Sequence, residues 1–156
     1  MAVAVEPLKP APVVDAGVVA DKPVAPAPKR DFEWYVEQGD KLRDREKPAK
    51  ALEMYGEAAD LEPERVEPIA GRGLALLDMG KPLQAEAAFQ EAMKLNGRYA
   101  PAIMGMAETY RAMKKNEKAV EWYQKYLEVL PNGPEANVAR SNIERLGAKK
   151  EEPAPE

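Results

Sequence analysis

The sequence predicts an all-α protein, a right-handed α-solenoid of three helix-turn-helix units (six helices) closed by one further capping helix. Three observations predict it. A stretch of one pattern is written three times, at Ala51–Pro63, Ala85–Gly97 and Ala119–Pro131, each 34 residues after the last. Within each copy a small residue is followed four later by an aromatic, at Ala51/Tyr55, Ala85/Phe89 and Ala119/Tyr123. Turn formers then punctuate the chain at the same intervals, with Pro48 and Pro82 opening helices and Pro63, Gly97 and Pro131 closing them. A fixed period of this length means stacked helical hairpins, because one hairpin cannot bury its own apolar face.

Taken in order, residues 1–30 hold six of the 15 prolines among Ala, Val and Lys, and no aromatic. That composition predicts a disordered, polyproline-like linker that cannot bury enough apolar surface to offset ordering. The first helix is expected from Asp31, whose carboxylate can cap the free amides of a first turn. Tyr35, Gly39 and Leu42 then share one helical face. After the turn Arg45-Glu46-Lys47, the second helix starts at Pro48 and carries Ala51, Tyr55, Ala58 and Leu61 inward.

The second unit repeats the plan with Ile69, Gly73 and Leu76, the turn Gly80-Lys81-Pro82, and then Ala85, Phe89, Ala92 and Leu95. Gly97 is expected to end its second helix in a left-handed conformation. The third unit places Ile103, Ala107 and Tyr110, then Ala119, Tyr123, Tyr126 and Val129. A last helix is expected from Pro134, with Ala139, Ile143 and Leu146 facing the array and a polar opposite face. The organisation expected is thus a linker over 1–30, a folded domain over 31–147 (repeats at about 32–65, 66–99 and 100–133, cap 134–147) and a disordered tail over 148–156.

Composition narrows the chemistry. There is no His and no Cys, and Ser141 and Thr109 are the sole Ser and Thr. Imidazole bases, thiol nucleophiles, disulfides and soft metal ligands are therefore absent from the sequence. The net charge of -4 argues against nonspecific contact with a phosphate backbone. The cluster Arg111, Lys114, Lys115 and Lys118 is offset by Glu108, Glu117 and Glu121 and reads as a solvated turn. The acidic pairs Glu57/Asp60 and Glu33/Glu37 read as wet helix faces. A catalytic pair would have to be buried in a cleft. The expectation is that the chain is no enzyme and takes no cofactor or metal.

No run reaches the ~18 apolar residues of a membrane helix, and the N-terminus lacks the pattern of a signal peptide. The leader resembles the Ala/Pro/Lys/Val stretches that follow a membrane anchor in some bacterial envelope proteins. It suits a cytosolic tether and a periplasmic spacer equally well.

The repeats resemble the tetratricopeptide repeat family. The residues that carry the resemblance are Tyr35/Gly39/Leu42, Ile69/Gly73/Leu76 and Ile103/Ala107/Tyr110 in the first helices. In the second helices they are Ala51/Tyr55/Ala58/Pro63, Ala85/Phe89/Ala92/Gly97 and Ala119/Tyr123/Tyr126/Pro131. Gln38 and Arg72 depart from the family's usual Leu, which implies looser early packing. Tyr126 departs from its usual Ala, which a cap lying over it would tolerate.

The resemblance implies ligand positions on the concave face: Glu33, Val36, Asp40, Arg43 and Asp44; Glu67, Ala70, Leu74, Leu77 and Asp78; then Pro101, Met104, Glu108, Arg111 and Ala112. Six of these are acidic and two basic. The partner implied is a protein or peptide segment, apolar with some positive charge, within a larger bacterial-envelope or cytosolic assembly. A carboxylate clamp uses Lys and Asn at set groove positions, and two of those positions hold Val36 and Asp40 here, so that mode of chaperone binding is not expected. The alternative is a structural unit that self-associates by end-to-end stacking of its repeats. Trp34 and Trp122 are expected to be partly packed rather than to act as anchors.

Overall fold

The computed structural model describes residues 29–148 of the 156 in the chain. The predicted linker and tail lie outside that range apart from Lys29, Arg30 and Ala148. Seven helices follow in order: α1 (Phe32–Asp44), α2 (Pro48–Leu61), α3 (Val66–Asp78), α4 (Pro82–Leu95), α5 (Ala100–Ala112), α6 (Asn116–Val129) and α7 (Ala136–Ala148). Helices α1/α2, α3/α4 and α5/α6 pair as hairpins, and α7 packs on α6. The first helices α1, α3 and α5 also touch one another in series, while no comparable contact joins α2 to α4 or α4 to α6. That inequality curves the array, with the first helices on the inside. The result is an all-α, right-handed solenoid.

Local chemistry sets the helix ends. Asp31 caps α1 as expected, its Oδ1 accepting the Trp34 amide at 3.0 Å. Pro48 and Pro82 open α2 and α4, where a missing amide hydrogen removes no bond. The left-handed residues are not where the sequence placed them. Gly97 does not adopt a positive φ, and α4 ends through an extended Asn96 at φ -146°. The positive φ angles fall instead inside each hairpin, at Glu46 (56°), Gly80 (69°) and Lys114 (59°), again 34 residues apart. At each, two amides reach back to the helix end, as in Lys81 N to Leu76 O (2.9 Å) and Gly80 N to Leu77 O (2.9 Å). This is a Schellman turn repeated three times.

The core is built of small residues and aromatics in two clusters, a small one around Ala51, Tyr55 and Ala75 and a larger one running from Val66 to Leu146, with Leu52 packed against both. Ala51, Ala58, Ala85, Ala92 and Ala119 are fully buried, as are Tyr55, Phe89 and Tyr123. Each aromatic lies between two small residues of flanking first helices. A Cβ added at Gly39 or Gly71 would fall 2.5 Å from Tyr55 Cε1, and one at Gly73 or Gly105 would fall less than 3.0 Å from Phe89. The same places around Tyr123 are taken by Ala107 and Ala139, both buried. Gly71 and Gly105, six positions into their repeats, were not singled out from the sequence.

The ends of the array differ from its middle. In α1 the places of Gly71 and Ala75 are held by Glu37 and Lys41, which form an exposed ion pair at 2.7 Å. The other end is covered by α7, which begins at Ala136 rather than at Pro134. Ala139 and Leu146 are buried and Ile143 is half-buried, while Asn137, Arg140 and Glu144 face solvent. The bulky Tyr126 fixes this joint. Its hydroxyl accepts the Glu135 amide at 3.3 Å, and a Cβ on Gly133 would sit 2.6 Å from that oxygen.

Candidate functional site

The first helices α1, α3 and α5 carry the predicted positions, which the structure leaves in three different states. Four of the acids are already engaged. Tyr55 Oη donates to Asp40 Oδ1 at 2.6 Å. Tyr123 Oη donates to Glu108 Oε1, and Arg111 donates to the other oxygen of the same carboxylate at 2.8 Å. Arg43 Nε bridges the first and second repeats by donating to Asp78 Oδ2 at 2.7 Å. Glu67 pairs with Arg65 at 3.0 Å, and that hydrogen bond holds its carboxyl below the usual range. Glu33 and Asp44 are exposed and make no hydrogen bond or ion pair among the described residues.

The apolar positions divide as well. Val36, Leu74 and Leu77 are half-buried, the two leucines leaning on the core beneath. Ala70 and Met104 are buried, at 1% and 5% exposure, so a ligand meets little of either. Pro101 and Ala112 are exposed.

Sequence reasoning missed one aromatic. Tyr99, the residue before α5, is half-buried against the core. Burial first, and then the charges of Glu67 and Asp40, push its hydroxyl above the ordinary pKa of 10.0. It therefore sits beside two predicted groove acids. Its counterpart in the preceding repeat is Arg65, whose guanidinium stacks on Phe32 at 4.3 Å. The signal lay one residue outside the helical pattern, in a column that reads Arg65, Tyr99 and Gly133. At the far end, Met104, Glu108, Arg111, Glu135, Val138 and Asn142 help to line a pocket of 410 Å³ between α5 and α7. Lost hydration and the nearby Glu108 raise the Glu135 carboxyl.

Burial, followed by the paired carboxylate, pushes the Tyr55 and Tyr123 hydroxyls up, and Tyr110, bonded to Glu86 at 2.7 Å, up to about 12. These hydroxyls stay protonated at neutral pH and serve as donors that fix side chains. Among the described residues no three His, Cys, Asp or Glu side chains gather as a metal site would need. No helix among them is long and apolar enough to cross a membrane. Trp34 and Trp122 are half-buried, the first edge-on to Tyr35 and the second under Lys125.

A family model described as tetratricopeptide repeat matches residues 76–143. The first TPR domain of human RPAP3 has the same fold, with a TM-score of 0.69, 28% identity, and coverage of 77% of this chain and 94% of that one. Residues 76–143 are tetratricopeptide repeats, and the described residues around them share the fold of that family.

Other solved structures share this fold. The first TPR of Spaghetti, bound to an HSP90 peptide, aligns with a TM-score of 0.70 at 24% identity, over 79% of this chain and 95% of that one. The type III secretion translocator chaperone SycD of Yersinia enterocolitica aligns with a TM-score of 0.72 at 18% identity, over 78% and 95%. Among curated sequences, the probable UDP-N-acetylglucosamine–peptide N-acetylglucosaminyltransferase SPINDLY of Hordeum vulgare is 34% identical over 84 residues. Those residues are 54% of this chain, which spans only 9% of that relative.

Proposed function

We propose that this chain is a non-enzymatic interaction module whose concave face holds a protein or peptide segment that is apolar and carries some positive charge. The observation that carries the reading is that Val36, Leu74, Leu77 and Tyr99 are half-buried, while Glu33 and Asp44 are exposed and make no hydrogen bond or ion pair among the described residues. Removing such side chains from water contributes ~25 cal/mol per Å² before association costs. Unpaired acids on α1 favour a cationic partner, mainly through association rate and in a salt-dependent way. The HSP90 peptide SRMEEVD bound to the first TPR of Spaghetti supports only the coarser part of the reading, a peptide as ligand. That peptide is acidic, and the preference for a cationic partner here rests on the acids of this chain. The module belongs, on this reading, to a larger assembly, with residues 1–30 as its tether. The end-to-end stacking alternative loses support at both ends of the array. One end carries the Glu37–Lys41 ion pair and the other the polar face of α7.

The test is an NMR titration with a synthetic peptide of alternating Leu, Ala and Lys, beside a second peptide in which Glu replaces Lys. Shifts should concentrate on α1, α3 and α5 with the Lys peptide. They should weaken in Glu33→Lys/Asp44→Lys and in Leu77→Asp, and persist in Glu57→Lys/Glu91→Lys. Equal binding of the Glu peptide, or shifts centred on α2 and α4, would reject the concave site.

A further inference from the structure

The 34-residue period does not stop at the third repeat. Helix α7 carries Val138, Asn142 and Arg145, which stand 34 residues after Met104, Glu108 and Arg111 of α5. Glu135, just before α7, stands 34 after Pro101. By position α7 is therefore a fourth first helix, and these four residues are a fourth set of groove positions. The structure brings the two sets together. The pocket of 410 Å³ is lined by Met104, Glu108 and Arg111 and by all four of the later residues.

The groups left free in this pocket define its occupant. Both oxygens of Glu108 are engaged, by Tyr123 and by Arg111. Asn142 is only 8% exposed; its Oδ1 accepts Arg145, and its Nδ2 makes no hydrogen bond among the described residues. An amide so deeply placed with an unmet donor calls for an acceptor from the ligand. Glu135 and Arg145 make no ion pair among the described residues, and their charges offset one another. The pocket thus holds two acids and two bases, whereas the groove positions of α1 and α3 hold five acids and one base. A cationic side chain gains more at the α1 end than here. Val138, 50% exposed, and Met104 supply an apolar wall.

We propose that this pocket takes an uncharged apolar residue of the bound segment, of the size of Leu or Met, with a main-chain carbonyl on Asn142 Nδ2. The segment's basic residues then lie towards α1 and α3, so the capping helix is part of the site and orients the ligand. This rests on the concave reading proposed above.

The test follows N-acetylleucine N-methylamide by NMR, beside N-acetyllysine N-methylamide and acetate. The leucine probe should shift the Val138 methyls and the Asn142 side-chain amide, with an affinity that salt leaves unchanged. Asn142→Leu, which copies Leu74 at the same position of α3, should weaken it about fivefold, the scale of one hydrogen bond. Val138→Ser, at a half-exposed position, should weaken it too and keeps the test open if Asn142→Leu fails to fold. Leucine-probe shifts absent from α5 and α7, equal binding of acetate or of the lysine probe, or unchanged affinity in the folded variants overturns the proposal. The Leu/Ala/Lys peptide judges the concave reading separately. Shifts on α1 and α3 that ignore both variants leave that reading standing and reject this one.

Discussion

The Tyr55 hydroxyl reaches across 15 residues to donate to Asp40, and this bond ties the buried aromatic of one helix to the inner surface of its neighbour. The third repeat makes the same link between Tyr123 and Glu108. In the second repeat the corresponding residues are Phe89 and Leu74, so hydroxyl and acid are exchanged together for two apolar groups. A position that reads from sequence as a ligand contact is therefore, in two repeats of three, a partner for a core tyrosine.

This coupling can be measured. Tyr55→Phe and Asp40→Leu should each destabilise by about 0.5–1.5 kcal/mol, the net worth of one hydrogen bond. The double variant copies the second repeat and should cost less than the sum of the two. Urea melts of the four proteins check it, and additive losses would show that the bond contributes nothing.

Stability should also depend on pH through these hydroxyls. A tyrosine whose folded pKa is raised stabilises the fold fully below its ordinary pKa of 10.0, and that contribution is lost as pH climbs towards the folded value. Urea midpoints should be flat from pH 7 to 9 and fall above about 10. For Tyr110 the fall extends to about 12. The slope should approach ~1.4 kcal/mol per pH unit for each tyrosine so held. Replacing Tyr55, Tyr110 and Tyr123 by Phe should flatten it.

The glycines divide into two groups with opposite outcomes. Gly71→Ala places a Cβ against the Tyr55 ring, which is fixed from both sides, and should destabilise by about 1–3 kcal/mol. Gly56→Ala meets nothing within 4 Å in the middle of α2 and should stabilise by about 0.5–1 kcal/mol. Thermal melts distinguish them, and a stabilising Gly71→Ala would contradict the clamp.

The hairpin turns give a further pair. Gly80→Ala should destabilise by about 1–2 kcal/mol at φ 69°. Glu46→Gly should stabilise by about 0.5–1 kcal/mol, relief of strain exceeding the entropy that glycine adds to the unfolded chain. Equal effects of either sign would place the strain elsewhere.

The sequence by itself determined the seven helices, their pairing and most of the buried stripe, because each follows from spacing. Leu61 and Leu95, expected to face inward, are instead 53% and 44% exposed as the last residues of α2 and α4. A 34-residue period with apolar residues three and four apart admits one way of burying Ala51, Tyr55 and Ala58 against Gly39 and its neighbours. The starts at Asp31, Pro48 and Pro82 were equally legible, since capping chemistry is local. Gly97 was misread because whether a glycine adopts positive φ depends on where the chain must go next. Only the tertiary structure decided which groove acids are spoken for. Asp40, Asp78 and Glu108 look like Glu33 and Asp44 in sequence, and each acquires a partner 15 or 35 residues away only when the helices are folded together. Tyr99 and the pocket between α5 and α7 were hidden for the same reason. A contact across repeats is set by the curvature of the array, and no pattern within one repeat records it.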